Sequence, residues 1–375
     1  MKCCRLLSVI AVLAVSAAVH AAESTTNRMP EVVVSATRIP SETEKTPTVV
    51  TVIQGDDLER RQVRTVSDAL REVPGLNVVQ SGQPGGLASV FMRGAESDHT
   101  LVLVDGVRAN NGYDSLFDFV NMPMDNIERI EVLRGPQSAL YGSEAIGGVI
   151  NIVTKRGAEK PTGAVTFEGG SFGSIRPRAN FAATYGKLSL SASASYFSTD
   201  NDRINSDLRQ RDVNASVRYQ ILERLDVTVS GWFRDMWTGS PGADSGFGAN
   251  DPLAFFEDEN SNIALTLHAQ PVEFWDARLV LSHNRVNRFF YDPNGNQGTN
   301  AWTKIDRDQI DFQNIFTISE QHKFVAGFAF DTAHANRDGF DRMGFPTHIS
   351  PTTQSYAGYA QYEFTPIERL TLTAG

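Results

Sequence analysis

The stretch that decides the fold runs from Ile130 to Thr154 and reads IEVLRGPQSALYGSEAIGGVINIVT. It predicts a short strand over Ile130–Arg134, a Gly-Pro turn, and a β-branched strand that ends at Thr154. The segment between the strands is rich in glycine: Gly142, Gly147 and Gly148. Such glycines mark places where backbone passes close to other backbone or takes positive φ. The stretch therefore predicts a compact domain that packs inside a surrounding structure.

The spacing of these residues alone fits a strand-turn-strand of any α+β domain, but the residue identities are more specific. Three further segments precede it: ALREVPG (69–75), FMRG (91–94) and LVLVDGVRAN (101–110). Together the four resemble, in the right order, the plug domain of TonB-dependent outer-membrane receptors, and the match covers roughly residues 31–156. Within that family the resemblance is strongest to cobalamin receptors, over 71–110 and 141–154. It implies a protein of the Gram-negative outer membrane.

After about Lys160 apolar and polar residues alternate with period two, which predicts long strands. On one such strand Leu188, Leu190 and Ala192 point one way and the intervening serines the other. A soluble sandwich shows this alternation too, but strands of ten or more residues with alternating short turns and long loops favour a membrane barrel. Aromatic residues near the long-loop ends predict an interfacial girdle: Trp232, Phe233, Phe289, Phe290 and Tyr291.

The predicted fold class is an α+β plug domain followed by an antiparallel transmembrane β-barrel. About eleven strands can be counted, and the family's barrels have roughly twenty-two, so we expect about half of a barrel and a truncated chain. The expected domains are a signal peptide (1–21), a periplasmic tail (22–47), the plug (48–157) and the first part of the barrel (158–375). Both cysteines, Cys3 and Cys4, lie in the signal segment.

A short β-prone stretch in the polar tail suits strand addition to a partner's sheet. Without the resemblance, an edge strand of the next domain is the favoured interpretation. The position resembles the family's TonB box, the segment that an energy-coupling partner grasps, and so implies TonB as a partner. The box residues are Glu31, Val32, Val33, Val34, Ser35, Ala36 and Thr37.

The resemblance also implies the ligand site, at loops on the outer apex of the plug. By position these are residues 81–89 and 111–117, and both are glycine-rich or polar. The candidate ligand-binding residues are Gln83, Leu87, Tyr113, Asp114 and Ser115. The ligand expected from the resemblance is cobalamin. A ferric siderophore or another metal chelate stays open, because residues 113–119 depart from the small-residue loop of a cobalamin receptor.

No cofactor is required, but calcium is a possible one. TDND at 199–202 resembles part of a calcium-binding outer loop, with Asp200 and Asp202 at the matched positions. Carboxylates this close suit a cation that takes six to eight oxygens, although an acidic loop without metal fits as well. Further ligands would come from the next long loop, where four aspartates are available: Asp235, Asp244, Asp251 and Asp258.

Family members seat the plug through ion pairs between plug arginines and barrel carboxylates. The matched arginines are Arg93 and Arg134, each beside a glycine. A buried guanidinium requires a carboxylate partner, so we expect these residues to seat the plug and not to bind ligand.

Other function classes are disfavoured. The net charge of −10 does not suit nucleic-acid binding. No nucleophile elbow, phosphate loop or HExxH motif is present, so the chain is not expected to be an enzyme. A passive porin would have no plug, and a signalling receptor would carry a further domain before the box. The expected function is energised import of a large, scarce ligand.

Overall fold

The computed structural model describes residues 32–33, 38, 41–42, 48–120, 122–242, 251–293, 299–340, 345–367 and 370–375. The predicted signal segment lies outside the described residues. So do Asp244 and, of the predicted TonB box, Glu31 and residues 34–37.

The first part of the described chain is made of short elements. Its strands are β1 (Val32–Val33), β2 (Ser41–Glu42), β3 (Val49–Gln54), β4 (Leu76–Gln80), β5 (Ala88–Met92), β6 (Thr100–Val104), β7 (Val107–Arg108), β8 (Ile127–Arg134) and β9 (Gly148–Thr154). Its helices are α1 (Gly55–Arg60), α2 (Val66–Leu70) and α3 (Ser138–Tyr141), with single 3-10 turns at Ser97–His99 and Ser143–Ala145. No helix among the described residues is long and apolar enough to cross a membrane.

The decisive stretch forms two strands, as its sequence predicts, and they lie next to each other inside the plug sheet. The strand order is β3-β8-β9-β6-β7, with β9 parallel to β6 and the other neighbours antiparallel. Val132 lies opposite Ile150, and both side chains are fully buried. Gly148 has a φ of 150°, and an added Cβ would stand 2.1 Å from the Leu133 carbonyl oxygen. Only glycine fits there, because the backbones of β8 and β9 meet at this point.

Two helix starts follow from side-chain chemistry. The Thr65 hydroxyl accepts a hydrogen bond from the Asp68 amide at 3.2 Å and so caps α2. Neither Asp56 nor Asp57 caps α1. The helix begins one residue earlier, after Gln54, and both aspartates lie in its first turn, where negative charge favours the helix dipole.

The second part of the chain is one large antiparallel sheet. Its strands are β10 (Thr162–Gly169), β11 (Ile175–Tyr185), β12 (Leu188–Thr199), β13 (Leu208–Leu222), β14 (Leu225–Gly239), β15 (Phe255–Val272), β16 (Trp275–Asp292), β17 (Thr299–Thr317), β18 (His322–Phe340), β19 (Pro346–Ile349), β20 (Thr352–Ile367) and β21 (Leu370–Ala374). From β10 to β18 each strand pairs with the next one along the chain. β18 then pairs with β20, and β20 with β21. The short β19 lies off this path and pairs with β18. The predicted count of about eleven strands is confirmed for the main path. Within the described sheet, β10 and β21 are the end strands.

The alternation in this sheet separates two environments. On β12, Ser191 and Ser193 are 3% and 6% exposed and face the plug. On β13, Val213 and Val217 are exposed on the outer face. Asp212, which is adjacent to Val213 and therefore points to the inner face, is buried. The large sheet is therefore a wall with an apolar outer face and a polar inner face, the arrangement of a barrel that surrounds a plug.

The expected aromatic girdle is only partly correct. Phe233 is exposed on the outer face, and Phe289 stacks there against the exposed Trp302. Trp232, however, packs against the plug core. Phe290 stacks on Phe256 on the inner face. Adjacent residues of a strand point to opposite faces, so neighbouring aromatics cannot all belong to one girdle.

Candidate functional site: the plug apex and the inner wall

The plug is seated by arginines of the wall. Asp125 of the plug is 5% exposed and accepts hydrogen bonds from Arg176 at 3.2 Å and Arg178 at 2.9 Å, both on β11. The two arginines are two residues apart and therefore lie on the same face of the strand. One buried carboxylate thus holds two guanidinium groups at the plug–wall interface.

Two more wall arginines reach plug carbonyl groups. Arg307 of β17 donates to the Asn110 carbonyl at 2.9 Å and lies 3.8 Å from the Glu144 carboxylate. Arg278 of β16 donates to the Asp105 carbonyl at 2.8 Å. Because a guanidinium carries five donors in a fixed fork, it can hold a carbonyl and a carboxylate at once.

A third contact ties the wall to the β4–β5 loop. Arg288 of β16 bonds Asp258 of β15 at 2.6 Å and lies 3.4 Å from Asp118 of the plug. The other oxygen of Asp118 accepts from the amides of Ala88 at 3.1 Å and Val120 at 2.9 Å. Burial raises the pKa of Asp118, although Arg288 opposes that shift. The loop end at Ala88 is therefore connected through one carboxylate to the wall.

The predicted seating arginines find no barrel carboxylate among the described residues. Arg134 donates to the Pro74 carbonyl at 2.6 Å and to the Thr51 hydroxyl at 2.8 Å, both within the plug. Arg93 is exposed and forms no ion pair with the described strands. The seating role of these two arginines stays a prediction. The seating contacts described above mostly run the other way, from wall arginines to plug acceptors.

A cleft of about 490 Å³ opens beside the plug apex. Its plug side is the β4–β5 loop, which contains Gln83 and Leu87, and its wall side includes Phe256, Asp258 and Arg288. Gly85 of the loop has a φ of 103°, and an added Cβ would stand 2.6 Å from the Thr238 hydroxyl oxygen. The loop therefore reaches the wall only because glycine is at this position.

The second predicted ligand loop lies elsewhere. Tyr113 and Asp114 are exposed on a turn. Their backbone amides both donate to Asn111 Oδ1, at 3.0 Å. Ser115 donates to Glu144 at 3.1 Å and does not line the cleft. The structure brings Gln83 and Leu87 to the cleft but not the other three candidates. Their binding roles stay predictions.

The predicted metal residues contact the plug apex. Asp202 accepts a hydrogen bond from Gln83 Nε2, and Asn201 beside it donates to the Pro84 carbonyl at 3.3 Å. Asp200 is exposed next to the Gly173 turn. No group of three His, Cys, Asp or Glu residues able to hold a metal occurs in the described part of the chain.

The further aspartates are occupied by other partners. Asp235 pairs with Arg211, and Asp258 with Arg288, while Asp251 Oδ1 accepts from the Leu253 amide. The described residues therefore do not by themselves fit a calcium cage. Calcium stays a prediction.

Comparison with known proteins shows which proteins the chain is similar to. The family described as TonB-dependent Receptor Plug Domain matches residues 42–149. The chain is 30% identical over 359 residues to the vitamin B12 transporter BtuB of Vibrio vulnificus, covering 90% of this chain and 55% of that protein. It is 28% identical over 318 residues to that of a Vibrio cholerae strain, covering 79% and 49%. Residues 42–149 thus match the plug domain of TonB-dependent receptors, and the chain is similar to members of that family over most of its length.

Solved structures show the same fold. The ferripyoverdine receptor of the outer membrane of Pseudomonas aeruginosa superposes with a TM-score of 0.80 at 16% identity, covering 94% of this chain and 54% of that one. The ferric yersiniabactin receptor FyuA of Yersinia pestis gives 0.65 at 17%, covering 86% and 62%. The chain thus has the fold of a plug domain followed by antiparallel barrel strands. The chain spans about half the length of the curated relatives it matches.

In this receptor the box region pairs with its own tail. Val32–Val33 is antiparallel to Ser41–Glu42 in a two-stranded sheet separate from the plug sheet. The alternative of an edge strand in the plug sheet is therefore not observed for these residues. The TonB box assignment itself stays a prediction.

Sequence reasoning missed Arg38, which follows the box and anchors the tail to the wall. Its side chain is 10% exposed and bonds Asp311 at 2.8 Å and the Tyr359 hydroxyl at 2.6 Å. The guanidinium also lies 4.7 Å from the ring centre of Tyr141. Burial raises the pKa of Tyr141 to about 12. An arginine two residues before a proline gives no signal of this role, because its partners are 273 and 321 residues away.

The plug carboxylates that the wall arginines hold were missed as well. A signal for them does exist in the sequence. Arg176 and Arg288 occupy positions on the inner, polar face of alternating strands, where a charge requires a partner.

Proposed function

We propose that this receptor imports cobalamin across the outer membrane, driven by TonB. The observation that carries the proposal is the cleft of about 490 Å³ between the plug apex and the wall. It has the size of sites that take small-molecule ligands. Its plug side is the loop that follows Arg71–Gln80, inside the segment with the strongest cobalamin-receptor resemblance. Relatives that match along most of the chain include vitamin B12 transporters of two Vibrio species.

The position of the tail supports a coupling to TonB. The box precedes Arg38, which is bound to the inner wall, so a pull on the box acts first on this anchor and then on the plug. Extended segments bind partner sheets through main-chain hydrogen bonds. The receptor carries out no chemical reaction on its ligand in this proposal.

Import of a ferric siderophore is the second candidate. The solved structures at 16–17% identity support it only through the common fold. The departure of residues 113–119 from a small-residue loop also favours it.

The test is uptake of radiolabelled cobalamin by host cells that lack their own copy of the gene, with and without the native gene supplied on a plasmid. We expect uptake only with the gene, and loss of uptake when TonB is deleted. A ferric tris-catecholate labelled with radioactive iron serves as the competing substrate. Uptake of that chelate without uptake of cobalamin would contradict the proposal.

A further inference from the structure

The floor of the cleft contains a carboxylate oxygen without a partner. Asp258 is 3% exposed, and both hydrogen bonds from Arg288 go to its Oδ2, at 2.9 Å from Nε and 2.6 Å from Nη2. Its Oδ1 is buried and has no hydrogen-bond partner among the described residues. Buried acceptors are normally satisfied, so an exception at the floor of a binding cleft calls for an explanation.

A second acceptor in the same cleft is also unsatisfied. Gln83 donates from Nε2 to the Asp202 carboxylate, which determines the orientation of its amide, since the opposite orientation would place two acceptors together. Its Oε1 is buried and has no partner among the described residues. Gln83 and Asp258 come from opposite sides of the cleft, one from the plug and one from the wall.

The chemistry of these groups is selective. Two buried acceptors require N–H or O–H donors on the ligand, and Arg288 beside them can donate to a ligand oxygen. A primary carboxamide has two N–H donors and one carbonyl oxygen, so its groups are of the types that these three side chains require. A chelate whose oxygens are all deprotonated and bound to iron offers acceptors only. It would place negative oxygen against Asp258.

We propose that Asp258 Oδ1 and Gln83 Oε1, with Arg288, form a recognition subsite for primary carboxamide groups of the ligand. The subsite deepens the proposed function and rests on it, because cobalamin carries primary carboxamides around its corrin ring. It separates an amide-rich corrinoid from an acceptor-only ferric chelate.

The first test replaces Asp258 in the native receptor and measures cobalamin binding to isolated outer membranes. Asp258→Asn replaces one acceptor oxygen with a donor, and we expect the dissociation constant to rise about tenfold, as loss of a hydrogen bond to a charged group predicts. Glu257→Gln is the matched control. Glu257 is the preceding residue on β15, it is exposed on the outer face, and it loses the same charge.

The second test keeps the receptor unchanged and alters the ligand, so it does not depend on the folding of a variant. Cobalamins in which a single carboxamide is hydrolysed to a carboxylate are compared with cobalamin itself. At least one positional isomer should bind about tenfold more weakly or worse, because its carboxylate meets Asp258. For Asp258→Asn the difference between that isomer and cobalamin should shrink.

The outcomes are distinct. Cobalamin binding that is insensitive both to Asp258→Asn and to amide hydrolysis would overturn the subsite and leave the proposed function intact. Absence of cobalamin binding with tight binding of a ferric tris-catecholate would overturn both. Weaker binding of Asp258→Asn and of one isomer, with the Glu257→Gln receptor unchanged, supports the subsite.

Discussion

At the residue scale, the contact between plug and wall depends on a few buried charges. Asp125 lies between Arg176 and Arg178, and the three side chains are 5%, 9% and 22% exposed. Removing one partner from such a group is costly, since the remaining charges are left in a poorly solvated place. These contacts matter more to seating of the plug than the exposed ion pairs of α1, which water screens.

Asp125→Asn keeps the shape of the side chain but leaves two guanidinium groups without a carboxylate. We expect the plug to lose about 3 kcal/mol of stability, measured by denaturant unfolding of the plug in the native receptor. Asp57→Asn is the control. Asp57 pairs with Arg60 on the surface of α1, and its loss should change stability by less than about 1 kcal/mol. Equal effects of the two substitutions would show that Asp125 does not seat the plug.

The second prediction at this scale concerns Arg38. Arg38→Ala removes the bonds to Asp311 and Tyr359, so the preceding segment should detach from the wall more often. A cysteine placed at Val33 should then react faster with a water-soluble thiol reagent. The labelling is clean because the other cysteines are Cys3 and Cys4, in the predicted signal segment. Arg61→Ala, at an exposed position of the plug, should leave the rate unchanged.

At the scale of elements, glycines decide how closely plug loops approach the strands. An added Cβ on Gly112 would stand 2.1 Å from the Ala333 Cβ of β18, closer than two carbons can lie. This contact places the loop that follows β7 against the wall. The effect is steric, since Gly112 is not among the glycines with positive φ.

Gly112→Ala should therefore displace the loop and loosen the plug. Cells with this receptor should become more sensitive to large antibiotics that the outer membrane normally excludes. Ala333→Gly in the same receptor should restore the barrier, because it removes the colliding methyl group. Gly358→Ala on β20 is a control, since an added Cβ there meets nothing within 4 Å. Failure of Ala333→Gly to rescue would argue against this contact.

The predicted TonB box is also a property of an element. Val33→Pro removes a main-chain donor, which strand addition requires. Energised cobalamin uptake should be lost, while binding to isolated membranes stays. Thr26→Pro, in the tail before the box, should leave both unchanged. Uptake at the normal rate in the Val33→Pro receptor would disprove the box assignment.

At the scale of the whole molecule, the wall has two end strands. Among the described residues β10 and β21 do not pair with each other. Unpaired strand edges are costly in lipid, because no water satisfies their backbone groups.

We therefore expect residues 22–375, expressed without any further sequence, to give no closed barrel. In gel electrophoresis the product should show no heat-dependent shift, and protease should digest it in isolated membranes. The native receptor, prepared in parallel, should show the shift and resist protease. A protease-resistant monomer from residues 22–375 would mean that the strands close in some other way.

The sequence by itself determined the order of the two parts, two strands of the plug sheet and the strand pattern of the wall. These are local properties. The glycines of the decisive stretch report close backbone contact where they stand, and the two-residue period tells which residues share a face. The short turns that the sequence predicts between strands are found between β11 and β12, β13 and β14, and β15 and β16. Local geometry depends on residues that are neighbours in the sequence, so it can be predicted from them.

Only the tertiary structure decided which charges meet and which loop lines the cleft. Asp118 meets Arg288 across 170 positions, and Gln83 meets Asp202 across 119. The two-residue period predicts which face of the sheet a side chain lies on. It does not predict which part of the plug that side chain meets, so it cannot pair a wall arginine with a plug carboxylate. The sequence also predicted Trp232 to belong to the girdle. Its packing against the plug core shows that this side chain points inward. Those partners are determined by how the plug sits within the wall, which depends on all of their contacts together.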